Sequence, residues 1–503
     1  MAQQRRAGHV HGAAVEMVDL HRPVPCAPEE MPWAATKSSW TILMPRPTFP
    51  LCPRPLVTLS SGTHRHTRAR GPRGAGRCRH RIRNHASTPK ANGQAMAVMS
   101  AVPSWRIVAV LLWVVPLNQI PMDAYTPALP QMQTSIHATS AALQATVTVF
   151  MIGMALSYLG VGILSDAWGR KPVLLGCAAA LAVASLACAA ADNIATLLVL
   201  RFVQGGVSSA FIVVAIAIAA DCFEDARLRS VNGMLGAAWS AAPIAAPAVG
   251  GFIVEYASWR YVFVLMAALS VTVGLVVAWA LPETLATSDR TQFRLGQTWR
   301  VLTTTARNPV FLALVAVFGL LAGPQLSFSV AAPFLYQVQM GFSPSAYGLV
   351  ALVVGVAVLL GSFTTGALAT RMTFQRLTFA DWALYMVGAT LLLVSAPAIG
   401  VNPWAITVPV CLAVAGCGAL VPQAQAAALG AFSRNLGLVS GLFGTLTYLM
   451  IAATMGIVVL SPERTQAPLG WLYMICGATA FVALAWVRRR LRGESAAPSA
   501  QES

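Results

Sequence analysis

The chain is 503 residues long, 56% of them hydrophobic and only 10% charged, whereas a soluble domain carries about 25% charged residues; an ordinary water-soluble globule is excluded. The formal charge of +17 suggests a nucleic-acid partner, but eleven of those charges are the surplus of fifteen Lys and Arg over four acids within the first hundred residues, so the average misrepresents the rest of the chain. Nine cysteines without one C-x-x-C pair point to neither a disulfide framework nor a zinc site.

Residues 1–95 are a basic, Pro-rich leader, as in HRHTRARGPRGAGRCRHRIR from 64 to 83. The segment has neither a helical nor a strand period, so it is expected to be disordered. A headgroup-binding or nucleic-acid patch and an Arg-rich transit peptide are two readings of it. A dispensable extension ahead of a start at Met96 or Met99 is the third and the stronger, because both methionines stand just before the first apolar stretch. The pairs His9/His11 and His64/His66 lack a Cys or carboxylate at ligand spacing, and no metal or other cofactor is expected.

Beyond residue 100, uncharged stretches long enough to cross about 30 Å of hydrocarbon fall at 105–126, 141–164, 173–191, 194–219, 232–254, 259–281, 309–332, 344–368, 378–399, 403–429, 436–460 and 469–487. The fold class is therefore an all-α polytopic membrane protein of twelve spans. If the start is cytoplasmic, sixteen Lys and Arg beside the spans are inside, against Arg260 and Arg464 outside. That asymmetry places both termini in the cytoplasm. The loop 286–308 divides the chain into six-helix halves, 101–285 and 309–492, and 493–503 is a disordered tail. The halves echo each other: GILSDAWGRKP from Gly162 and GALATRMTFQR from Gly366 end the second and eighth spans. Paired helical halves with substrate between them are a transporter architecture.

Four motifs carry chemistry. In LSDAWGRKP, Asp166 and Arg170 are four apart, and Gly169 and Pro172 suit the end of one helix and the start of the next. Topology alone explains Arg170 and Lys171, but not the acid. In span four, Arg201 lies within LLVLRFVQGG, where a guanidinium costs about 2.5–3.5 kcal/mol on insertion scales. It either faces a polar interior with a partner or snorkels to the outer headgroups. Span five holds Pro247, Gly250 and Gly251, small residues that admit a close neighbour. PMDAYTPALP at 121–130 puts Asp123 near the outer end of span one, as a proton-handling residue or as a solvated acid.

These motifs resemble the major facilitator superfamily. Gly162, Leu164, Ser165, Asp166, Gly169, Arg170 and Lys171 match its loop G-x-L-[SA]-D-x-x-G-R-[RK], with Ala167 where Arg or Lys is frequent. Arg201, Gln204 and Gly205 match R-x-x-Q-G, and Pro247, Gly250 and Gly251 match the exporter pattern G-P-x-x-G-G, with Ala246 for its first Gly. Asp123, Tyr125, Pro127 and Pro130, together with LPET at 281–284, resemble the Bcr/CflA drug:proton antiporters. The resemblance covers about 105–490. It implies a conformational latch at Asp166, Gly169, Arg170 and Lys171 between the halves, and export of small drug-like molecules in exchange for protons across the bacterial inner membrane.

On this reading Asp123 carries the proton and Arg201 tunes or pairs with it. An apolar, aromatic cavity would include Asn118, Gln119, Gln144, Tyr158, Gln325, Tyr336, Gln423 and Tyr448. A nutrient symporter on the same fold is the alternative; it predicts a denser set of hydrogen-bonding and charged residues in the cavity helices, and the glycine signature of span five argues against it. No H-E-x-x-H, G-x-S-x-G or P-loop speaks for an enzyme. The expected partners are substrate, protons and the bilayer, with the protein a monomer.

Overall fold

The computed structural model describes residues 104–285, 295–369, 371–432, 436–460 and 465–496, and the leader lies outside them. Twelve of the described helices are long and apolar enough to span a bilayer: α1 Ser104–Ser135, α2 Ser140–Trp168, α3 Arg170–Ala189, α4 Ile194–Cys222, α5 Asp225–Tyr256 and α6 Arg260–Ala280, then α7 Pro309–Gln339, α8 Pro344–Leu368, α9 Gln375–Ile399, α10 Pro403–Gly430, α11 Gly437–Val459 and α12 Ala467–Arg490. All twelve apolar stretches are helices, and no strand occurs among the described residues.

The boundaries move where polar residues continue a helix. α5 starts at Asp225 rather than 232, with that acid in its first turn, where the helix dipole favours it. The segment 286–308, expected as a loop, contains a helix over Leu295–Ala306. Leu295, Trp299, Leu302 and Ala306 recur there at the spacing of one helical face. The helix that contains α12 runs on to Ala496, four residues into the expected tail.

α1 is broken. It comprises a helix Ser104–Val114, a 3-10 turn Val115–Asn118, one α-turn Ile120–Asp123, a second 3-10 turn Thr126–Ala128 and a last helix Leu129–Ser135. Pro116, Pro121, Pro127 and Pro130 cause this, since each removes an N–H from the ladder. Irregular backbone at membrane depth survives only inside protein, and most of α1 is buried.

Short turns make consecutive helices antiparallel, so Arg170, Lys171, Arg227, Arg229, Arg371 and Arg376 gather at one end, the basic end. At the opposite end α1–α6 and α7–α12 share one apolar cluster, which runs from Met122 and Phe150 to Phe334 and Tyr448. At the basic end the clusters are separate, one around Val173, Phe211 and Val277 and another around Phe311, Val439 and Phe443. The glycines follow the same division. A Cβ on Gly251 of α5 would lie 2.3 Å from the Pro344 carbonyl of α8, whereas Gly233 and Gly236 of α5 and Gly366 of α8 face open space. The two six-helix sets are packed together at the opposite end and diverge at the basic end.

Candidate functional site

The breaks in α1 release main-chain groups for use. The carbonyl of Pro121 accepts the Nη1–H of Arg201 at 2.9 Å. Because Pro127 has no N–H for the Asp123 carbonyl, the Thr126 hydroxyl donates to it instead, at 3.1 Å. The Pro127 carbonyl accepts the Gln337 amide of α7 at 3.0 Å, a bond between the two six-helix sets.

Arg201 is fully buried and does not snorkel. Its guanidinium lies between the rings of Tyr125 and Phe150, 4.4 Å from each centroid. Nη1 also donates to Gln204 Oε1 at 2.9 Å, and Gln204 Nε2 donates to Ser185 Oγ at 2.8 Å. The spacing R-x-x-Q-G acquires a physical sense here. Residues three apart share a helix face, and Gly205 lets α2 approach so closely that a Cβ would lie 1.9 Å from the Phe150 carbonyl. A desolvated cation–π contact contributes about 2 kcal/mol; two rings and the two bonds of Nη1 work against the insertion cost of about 2.5–3.5 kcal/mol, while Nε and Nη2 are buried without a hydrogen-bond partner.

Asp123 is buried, with 2% exposure. The expected pair with Arg201 is not made: the guanidinium is turned to the Pro121 carbonyl and Gln204, and no ion pair with Asp123 forms. The physical reason is the break itself, which offers Arg201 a free carbonyl two residues before the acid. Asp123 Oδ2 has no hydrogen-bond partner, and neither does Gln119 Oε1 one helical turn earlier. Facing the acid from the other helix set are Tyr347 of α8 and Tyr448 of α11, both within electrostatic reach of its carboxylate. The Tyr347 hydroxyl also donates to the Ser329 carbonyl at 3.3 Å. Tyr448 pairs with Tyr158 of α2, ring centroids 5.2 Å apart.

The other residues expected in the cavity divide. Asn118 is a tie between helices: Nδ2 donates to the Ser208 carbonyl at 3.0 Å and Oδ1 accepts Trp239 Nε1 at 3.0 Å. Gln144 is fully buried in α2, and Gln325 is half-buried in α7. Tyr336 turns toward α10, its hydroxyl 2.7 Å from Thr407 Oγ1. Gln423 lies near the basic end of α10 and accepts from Thr378 of α9 at 3.4 Å. Asp123, Gln119, Tyr158 and Tyr448 come together; Tyr336 and Gln423 are engaged among α7–α12.

The LSDAWGRKP charges form a knot within α1–α6. Gly169, at φ 109°, ends α2 and starts α3. Arg170 pairs with Asp166 and, through Nε, with Asp221 Oδ2 of α4 at 3.1 Å. Glu283, just after α6, accepts the Arg170 and Lys171 backbone N–H groups at 3.0 and 3.2 Å, while Lys171 Nζ donates to the Ala278 carbonyl at 2.7 Å. The latch expected between halves is thus closed on acids of its own half, because at this end the helix sets stand apart. In α5 the small residues admit a neighbour from each set: a Cβ on Gly250 would lie 2.0 Å from the Ala124 carbonyl of α1, in its own set, and across the sets one on Gly348 of α8 would lie 2.8 Å from the Pro247 carbonyl.

Sequence reading passed over Asp221, Tyr347 and Asp381. Asp381 in α9 is buried, with Oδ1 accepting the Thr365 hydroxyl of α8 at 2.8 Å and Oδ2 without a partner. An acid within the apolar stretch 378–399, three residues from its start, was the available signal.

Known proteins resemble this chain over most of its length. The chain is 27% identical over 401 residues to an uncharacterized transporter of Rickettsia bellii, covering 78% of this chain and 98% of that protein. It is 30% identical over 347 residues to the multidrug resistance protein MdtL of Escherichia coli O81, covering 67% and 85%. A crystal structure of a D-xylose–proton symporter shares the fold, with TM-score 0.60 at 13% identity over 76% of this chain and 96% of that one. Residues 111–455 match the Major Facilitator Superfamily, and this twelve-helix chain belongs to that family of membrane transporters.

Proposed function

We propose that the protein exports small drug-like molecules in exchange for protons, by alternating access across the bacterial cytoplasmic membrane, with both termini and the basic end inside. Asp123 carries this reading: a buried carboxylate at the seam between the helix sets, not held by Arg201. An intramembrane acid at such a seam can take up and release a proton as its surroundings change. Exposure to one side and then the other follows when the helix sets rock about it. The likeness to a multidrug resistance protein and the glycine contacts of α5 support export over nutrient import.

The test is reconstitution in liposomes with an imposed pH gradient, following uphill drug flux and drug-dependent proton movement. Wild type is expected to couple the two. Asp123→Asn keeps the size and removes the titratable proton, so downhill drug movement persists and uphill movement stops. Coupled fluxes in the variant would place the proton elsewhere, and substrate uptake with protons would reverse the direction.

A further inference from the structure

The first turn of α8 takes one of its hydrogen-bond acceptors from the other helix set. Pro344, the first helical residue, has no N–H to satisfy. The Ala346 N–H donates to the Ser343 hydroxyl, the helix's own cap, at 3.2 Å. Between them the Ser345 N–H donates to Glu255 Oε2 at 3.0 Å. Glu255 belongs to α5, so the start of α8 is capped from across the seam. The helices are close enough for this because Gly251, one turn earlier in α5, has no Cβ; one there would lie 2.3 Å from the Pro344 carbonyl. A second polar contact between the sets at this end runs from the Gln337 amide to the Pro127 carbonyl at 3.0 Å.

Glu255 is badly placed for its own helix. It is the last residue but one of α5, an acid at the end where the helix dipole is negative. For α8 the same carboxylate stands at the positive end, where it is favoured. A local penalty joined to a tertiary gain points to a contact between elements as the reason for the residue. The side chain is exposed, so burial does not account for it. The contact also depends on conformation: if the sets part at this end, Glu255 is left at the negative end of α5 and the Ser345 N–H is left to water. An interaction made in one state alone shifts the balance between states by its own free energy. We propose that Glu255 is the latch of the end remote from the basic residues: by capping α8 from α5 it holds that end shut and sets how often it opens. The LSDAWGRKP charges do not serve here, since they are engaged within α1–α6 at the other end. Glu255 touches no substrate and acts as a positioning residue. The proposal goes beyond the export reading and holds whatever is carried and in whichever direction.

Hydrogen exchange of the full chain in lipid nanodiscs reads this balance, because amides at a closed end exchange when that end opens. Glu255→Gln keeps the size and an acceptor and removes the charge. Amides of 250–256 and 345–352 are then expected to exchange about two- to fivefold faster, the change that one charge at a helix end supports. Those of 232–240 and 360–368, at the basic end, should exchange more slowly. Glu255→Lys should move both ends further, although a cation suits the end of α5; a residue that served α5 alone would give the reverse order. Asp192→Asn is the control. It removes another exposed acid at the same end, paired with Arg260 at 2.8 Å inside α1–α6, and should move neither end. Opposed changes at the two ends, larger for Lys than for Gln, support the latch. No change, faster exchange confined to the first turn of α8, a change of one sign at both ends, or an equal response in Asp192→Asn overturns it. If Glu255→Lys does not fold, Glu255→Gln against the control decides. Exchange is measured without substrate or gradient, so a failure of the export reading leaves this outcome untouched.

Discussion

The α2–α3 and α8–α9 junctions descend from the same sequence pattern, yet they hold their helices by opposite means. At the first, charge gathers near the surface: Arg170 joins Asp166 and Asp221, and Glu283 accepts the first N–H groups of α3. At the second, Thr370 stands where Asp166 does and Phe374 where Arg170 does, and the tie has moved indoors, to the Thr365 hydroxyl on Asp381. Arg371 and Arg376 are exposed. A knot with several partners fails by leaving charges unpaired, whereas a buried hydroxyl–carboxylate pair is lost for little if both members go. The difference teaches that repeat symmetry preserves the helix pair and its small residues, not the interaction that fastens it.

The largest effect should come from Arg170→Ala, which strands two acids at one site. Arg170 is buried but Asp166 and Asp221 keep part of their solvent, so the cost is set below that of a fully buried pair, about 2–3 kcal/mol, and thermal unfolding in detergent reads it; a loss under about 1 kcal/mol would mean the knot does not fasten the junction. Asp381→Leu should cost less, about 1–2 kcal/mol, because one hydroxyl loses its acceptor. Adding Thr365→Val should return most of that loss, and a double variant as unstable as the sum of the singles would break the contrast with the charged junction. Asp166→Asn is smaller still in stability, about 0.5 kcal/mol, since that side chain is 46% exposed. Its effect falls on the balance of conformations: substrate affinity should stay near wild type while export slows several-fold, roughly, and unchanged export would reduce the junction to a topological signal. The smallest effect is that of salt. At about 1 M the screening length is about 3 Å, so salt should narrow the stability gap between wild type and Asp166→Asn and leave that between wild type and Asp381→Leu alone.

The twelve spans were legible because length without charge is nearly sufficient to mark a membrane helix. The interruption of α1 was not, although Pro116, Pro121, Pro127 and Pro130 were in view, because an apolar window averages over the prolines that break it. Arg201 was legible as a charge needing company. Its company, two rings, a carbonyl and Gln204, depends on where a kinked backbone points, and of the two roles expected toward Asp123, tuning or pairing, the ion pair does not form. Asp221 follows a span and looked like an ordinary boundary acid, and Glu283 was in view only as part of LPET. Their convergence on Arg170 is a matter of which helices are neighbours, which spacing along one chain does not carry. The helix Leu295–Ala306 was hidden for a simpler reason: its apolar face recurs over too few turns to stand out from a polar segment.

The irregular course of α1 has one more consequence. Two of its contacts, to Arg201 and to Gln337, are made by the carbonyls of Pro121 and Pro127, and a carbonyl belongs to every residue alike. Truncating side chains to alanine along this helix, at positions other than its prolines, therefore leaves both acceptors in place and under-reports their importance. Inserting or deleting a single residue between 115 and 128 rotates them away from their donors, so this stretch should tolerate changes of letter far better than changes of length.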